Sequence, residues 1–96
     1  MHLVVTGTDR VIILQQGDNP ISVNGEDVHK VVVAVSSARR DAGTYSCAFT
    51  RKIEFRNGTN SLATVGWCGR LILADEGQFS DNSGALNALY HNLFMR

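Results

Sequence analysis

Apolar and polar residues alternate along 44–56. Tyr45, Cys47, Phe49, Ile53 and Phe55 stand on odd positions with only Arg51 intruding, while Thr44, Ser46, Ala48, Thr50, Lys52, Glu54 and Arg56 stand on even ones. Successive side chains on a strand point to opposite faces, so this spacing predicts a long strand with one greasy face and one polar, net basic face. A helix would scatter the same residues around its circumference. Upstream, Leu3-Val4-Val5-Thr6 and Val11-Ile12-Ile13-Leu14 flank Gly7-Thr8-Asp9-Arg10, which predicts a hairpin over 3–14. Ile21-Ser22-Val23 reads as a short strand between the break at Gly17-Asp18-Asn19-Pro20 and the turn pair Asn24-Gly25. The run His29-Lys30-Val31-Val32-Val33-Ala34-Val35-Ser36 is rich in β-branched residues and predicts another strand. A further strand is expected over 62–74, with Val65, Trp67, Leu71 and Leu73 on one face and Thr64, Cys68, Arg70 and Ile72 on the other.

Near the end the period changes. Leu86, Leu89, Tyr90 and Leu93 fall at i, i+3, i+4 and i+7, which predicts a helix over 82–95 with N-cap candidates among residues 80–83. So short a helix is marginal alone in water and has to dock on an apolar surface. The odd face of the sheet is the surface on offer. The expected fold class is therefore α+β, a single domain over 1–96. An N-terminal β-hairpin and an antiparallel meander sheet over 29–74 precede one C-terminal helix. A helix in need of a partner, and sheet edges in need of protection, favour an obligate dimer.

Composition adds little to this picture except in its distribution of charge. The apolar share is 44% and the net charge is zero. Yet residues 30–70 hold seven basic side chains (Lys30, Arg39, Arg40, Arg51, Lys52, Arg56, Arg70) against Asp41 and Glu54. That central band carries +5 and suits a polyanion or its own acidic flanks equally. The N-terminus has neither a basic n-region nor a long apolar core, which predicts no signal peptide, no membrane partner and synthesis in the cytoplasm. Cys47 and Cys68 lack metal-site spacing and are expected as two partly buried free thiols, pairing between subunits only under oxidising conditions. His2, His29 and His91 are scattered, no Gly-rich phosphate loop joins a strand to a helix, and no nucleophile constellation stands out. An enzyme is not expected, nor a cofactor. Asp41-Ala42-Gly43-Thr44-Tyr45-Ser46-Cys47 resembles the tyrosine corner of immunoglobulin domains, but no cysteine precedes Cys47 and Trp67 follows it.

The order of elements resembles the coat proteins of single-stranded RNA bacteriophages. Lys30 to Ser36, an Arg-bearing turn and the strand from Tyr45 through Ile53 and Phe55 resemble that family's central hairpin. Trp67 to Leu73, a linker and residues 80–94 resemble its last strand and first helix, although the family usually has a second. The resemblance implies subunits joined edge to edge into homodimers, with Leu86, Leu89, Tyr90 and Leu93 packing across the partner. It further implies dimers closing into an icosahedral shell, a virion assembled from chains made in a bacterial host cytoplasm. The sheet face away from the helices would line the interior and bind single-stranded RNA, including a hairpin through which translation is repressed. Lys30, Val32, Ala34, Ser46 and Ala48 match positions from which family members touch RNA, and Lys30, Lys52 and Arg70 would neutralise phosphates. On the last strand, parity turns Arg70 inward, whereas counting back from the helix turns Trp67 inward to stack on a base. The alternative expectation is a small phage or bacterial module, inhibitor-like, that binds a protein through its polar sheet face.

Overall fold

A computed structural model describes residues 7–41, 43, 47–75 and 77–94. Strands β1 (Arg10–Gln15) and β2 (Ile21–Val23) are followed by helix α1 (Glu26–Ser36). Then come β3 (Arg39–Arg40), β4 (Arg51–Asn57), β5 (Asn60–Cys68), β6 (Leu71–Ala74), β7 (Gly77–Ser80) and helix α2 (Ala85–Phe94). All seven strands form one sheet in the order β2-β1-β4-β5-β6-β7-β3. Every neighbouring pair in it is antiparallel. The α+β class and the antiparallel sheet match the expectation. The arrangement of elements differs in three places.

The run over 29–36 is helix, not strand. Its apolar residues satisfy two periods at once, and the helical one governs: Val28, Val31, Ala34 and Val35 are buried along one stripe, while His29, Lys30, Val33 and Ser36 face out. Gly25 precedes the helix at φ +64°, a conformation that costs glycine no Cβ clash. Glu26 and Asp27 complement the positive helix end, and Asp27 lies 3.5 Å from Lys30 one turn on. Tertiary burial overrides the weak strand preference of valine.

The strand expected over 44–56 begins only at Arg51. Within β4 the alternation holds, with Ile53 and Phe55 buried and Lys52 exposed. Residues 47–50 are not in the ladder, Phe49 adopts φ +47°, and 44–46 lie outside the described residues. The first arm of the expected 3–14 hairpin also lies outside them. Its second arm is β1, which pairs with β2 and β4.

The strand expected over 62–74 is two strands. The chain turns at Gly69 and Arg70, and β6 pairs back on β5 through Cys68↔Leu71 and Trp67↔Ile72. That turn inverts the parity, so Ile72 is buried beside Trp67 while Leu73 is 45% exposed. A bulge at Phe55/Arg56 leaves Leu62 unpaired and 40% exposed.

Both helices cover the same face of the sheet. Val11, Ile13, Val23, Ile53, Phe55, Val65, Trp67, Ile72 and Phe79 meet the stripes of α1 and α2 in one core. The stripe on α2 appears as expected, with Leu86, Leu89 and Tyr90 buried and Leu93 partly so. Its start is capped by Asp81, which accepts from the Leu86 N–H at 3.0 Å, and by Ser83, which accepts from the Ala85 N–H at 3.2 Å. Tyr90 meets Trp67 edge to face with centroids 5.2 Å apart and donates its hydroxyl to Gln15. The stripe expected to pack on a partner subunit is thus buried against its own chain.

A candidate binding face

With both helices on one side, no helix or further strand among the described residues covers the other face of the sheet. Cross-strand register defines what it presents. One row runs Leu14, Lys52, Gly66, Leu73 and Gln78, and a second runs Ser22, Ile12, Glu54 and Thr64. A third pairs Arg10 directly with Arg56. These residues alternate with the buried set, and on β4 the even parity expected of the polar face holds.

The charge on this face is uneven. Glu54 lies 3.7 Å from Arg56, whose guanidinium also donates to the Thr59 carbonyl at 3.0 Å. Arg10 and Lys52 are exposed and have no ion-pair partner among the described residues. Three cations therefore face one carboxylate. Like charges directly opposite each other on paired strands are destabilising, so the Arg10–Arg56 juxtaposition costs the isolated protein stability.

Residues 47–50 fold back over part of the face. A side chain at Gly66 would meet Phe49 Cβ at 3.4 Å and Phe49 Cδ1 and Leu73 Cβ at 3.5 Å, so the Phe49 ring lies over the bare backbone of β5. The segment is held by a disulfide between Cys47 and Cys68, whose Cα atoms are 6.5 Å apart, and by the Gln16 N–H donating to the Thr50 carbonyl at 3.3 Å. The expectation of two free thiols is corrected: the cysteines are 21 positions apart in sequence but adjacent in the fold, and they pair within the chain. Beside Phe49 a groove of about 370 Å³ opens, lined by Leu14, Gln15, Gln16, Ala48, Phe49, Thr50 and Lys52.

Of the expected RNA-contacting residues, the fold brings Lys52 and Ala48 to this face and its groove. Lys30 is exposed on α1, Val32 is partly buried there and Ala34 faces the core, all three being removed from the face because their segment is helical. Trp67 is 1% exposed on the helix side, its indole N–H donating to the Gly69 carbonyl at 2.6 Å, so stacking on a base is closed to it. Arg70 occupies the β5–β6 turn at the end of the sheet. Ser46 lies outside the described residues. Arg10, Arg56, Phe49 and Leu73 were missed as site residues. The register that opposes Arg10 to Arg56 was the missing information, and the Gly69-Arg70 turn was the available signal for Leu73.

Among the described residues no group of three or more His, Cys, Asp or Glu side chains could hold a metal ion. Among them too, no helix is long and apolar enough to cross a membrane. Compared with known proteins, the chain matches no family model, no curated sequence and no solved structure.

Proposed function

We propose that this chain is a non-enzymatic binding protein that holds single-stranded RNA across the open face of its sheet. The observation that carries this reading is the direct opposition of Arg10 and Arg56, with Lys52, which has no ion-pair partner among the described residues, on the same face. A phosphate backbone laid between them would turn a repulsive arrangement into an attractive one. The groove beside Lys52, walled in part by Leu14 and Ala48, gives a base an apolar recess next to the cation. Assembly of such chains into homodimers and an icosahedral shell, as a coat protein of an RNA phage, is the further part of the proposal and rests on the resemblance alone. The strands at the two sheet edges have three and two residues, which gives edge-to-edge joining little to build on.

The test is fluorescence anisotropy with a labelled 20-nucleotide unstructured RNA at several salt concentrations. Arg10→Ala and Lys52→Ala, both exposed, are expected to leave the fold intact and to weaken binding. Each should flatten the slope of log K against log salt by about 0.7 if it removes one phosphate contact. Unchanged affinity and slope in both variants would remove the open face from RNA recognition. Size-exclusion chromatography with absorbance at 260 and 280 nm tests the shell: megadalton particles rich in RNA support it, and a persistent 10.5 kDa species rejects it.

A second reading is favoured by the apolar residues on the same face. Leu73 is 45% exposed, and Ile12, Leu14 and Leu71 on the same face are half-buried. That surface also suits a protein partner. Retention of a protein ligand by a variant that has lost RNA binding would select this reading.

A further inference from the structure

The disulfide and the segment it holds lie on the face to which RNA binding has been assigned, and the following inference rests on that assignment. Cys68 ends β5 on the open side of the sheet, and Cys47 begins the described segment 47–50 that crosses back over it. Three observations make this segment a cover rather than part of the sheet. Its residues are outside the ladder, which starts at Arg51. Phe49 is the non-glycine residue with positive φ among those described, at +47°, a backbone conformation that phenylalanine adopts only when its surroundings impose it. Its ring rests on Gly66, where an added Cβ would already touch it at 3.5 Å, and beside Leu73.

We propose that the Cys47–Cys68 disulfide is a redox latch: oxidised, it holds Phe49 down over Gly66 and narrows the groove beside Lys52; reduced, it frees segment 47–50 and widens the RNA-binding face. The chemistry is a two-electron exchange with a dithiol reductant. A thiolate of the dithiol attacks one sulfur, the S–S bond breaks through a mixed disulfide, and the second thiol of the reductant closes its own disulfide. Two electrons and two protons end on Cys47 and Cys68 as thiols. Both cysteines are half-buried, which leaves the bond within reach of a small dithiol. On release, the left-handed conformation at Phe49 relaxes, and Gly66 and Leu73 join Leu14 and Lys52 in one uninterrupted row.

The latch is tested on the full chain by measuring anisotropy with the same labelled RNA before and after treatment with dithiothreitol. Hydrogen exchange of residues 47–50, Gly66 and Leu73 is followed in parallel. Reduction is expected to tighten RNA binding at least about fivefold and to raise exchange in 47–50 while the amides of β1 and β4 stay protected. A Cys47→Ser/Cys68→Ser double variant should behave as the reduced protein without reductant. Phe49→Gly keeps the disulfide and removes the cover, so it should bind RNA as tightly when oxidised as the native chain does when reduced, and lose its redox dependence. Equal RNA affinity in both redox states overturns the latch while leaving the RNA site standing. If RNA binds in neither state, the RNA assignment falls and exchange alone decides the latch: faster exchange confined to 47–50, Gly66 and Leu73 upholds it, and unchanged or global exchange overturns it.

Discussion

At the scale of single residues, the most informative position is Arg51, the one charged intruder among the apolar residues of its strand. Its guanidinium lies 4.7 Å from the Tyr90 ring centroid and 5.5 Å from that of Trp67, so it sits against both rings of the edge-to-face pair where α2 meets the sheet. An apparent fault in the alternation is thus a cation–π clasp joining β4, β5 and α2. Partly desolvated, such a contact contributes about 1–2 kcal/mol, and Arg51→Ala should lower the stability to urea by about that amount. Arg51→Lys should recover only part of the loss, because an ammonium cannot stack flat on a ring as a guanidinium does. Fluorescence of Trp67, the sole tryptophan, reports the transition directly. A loss below about 0.3 kcal/mol in the alanine variant would mean that the rings pack equally well without the cation.

At the scale of elements, what the sequence made legible depended on how many periods a segment satisfied. The stripe of α2 fits 3.6 alone and residues 52–56 fit 2 alone, so both elements are legible with their buried sides. By contrast β1, apolar throughout 11–14, is legible as a strand but not in which side it buries. The run around Val31-Val32-Val33-Ala34-Val35 is apolar at nearly every position. It fits both periods, and β-branched composition pointed to the wrong one. The split between β5 and β6 was hidden because a two-residue turn preserves the look of alternation while inverting the face. The cover formed by 47–50 was hidden for another reason: Cys47 and Phe49 alternate correctly, but a disulfide, which spacing alone does not reveal, sets their position. The same ambiguity yields a discriminating prediction for α1. On a strand Val33 and Val35 would share a face; on the helix Val33 is 46% exposed and Val35 is 0% exposed. Val35→Ala should therefore cost about 2 kcal/mol through the cavity it leaves. Val33→Ala should stay within about 0.5 kcal/mol of the native chain, since alanine's helix propensity offsets the lost methyl contacts. Equal costs at the two positions, measured by urea denaturation, would restore the strand.

At the scale of the whole molecule, the chain closes its own core and then ties it. Residues from both helices and from strands spanning β1 to β7 share a single buried cluster, so α2 has its apolar partner within the chain. The clamp argument for an obligate dimer therefore loses its ground, because the stripe on α2 is already covered by its own chain. The disulfide joins residues 21 apart, and closing a loop of that size removes unfolded-state entropy worth about 3 kcal/mol on the chain-entropy account. That is a large fraction of the 5–15 kcal/mol by which domains are usually stable. It ties persistence of the fold to an oxidising environment more closely than the charge or the hydropathy of the chain does. Reduction with dithiothreitol should accordingly lower the urea midpoint by roughly 1–3 M, given a denaturant slope of about 1–3 kcal/mol per M. The transition should stay cooperative, because the cluster of α1, α2 and the inner strands contains neither cysteine. A midpoint unmoved by reduction would mean that 47–50 is held by Phe49 and the Gln16–Thr50 hydrogen bond alone. Complete unfolding on reduction would mean that the sheet cannot stand without its tie, and every redox difference in RNA binding would then be a difference between folded and unfolded chain.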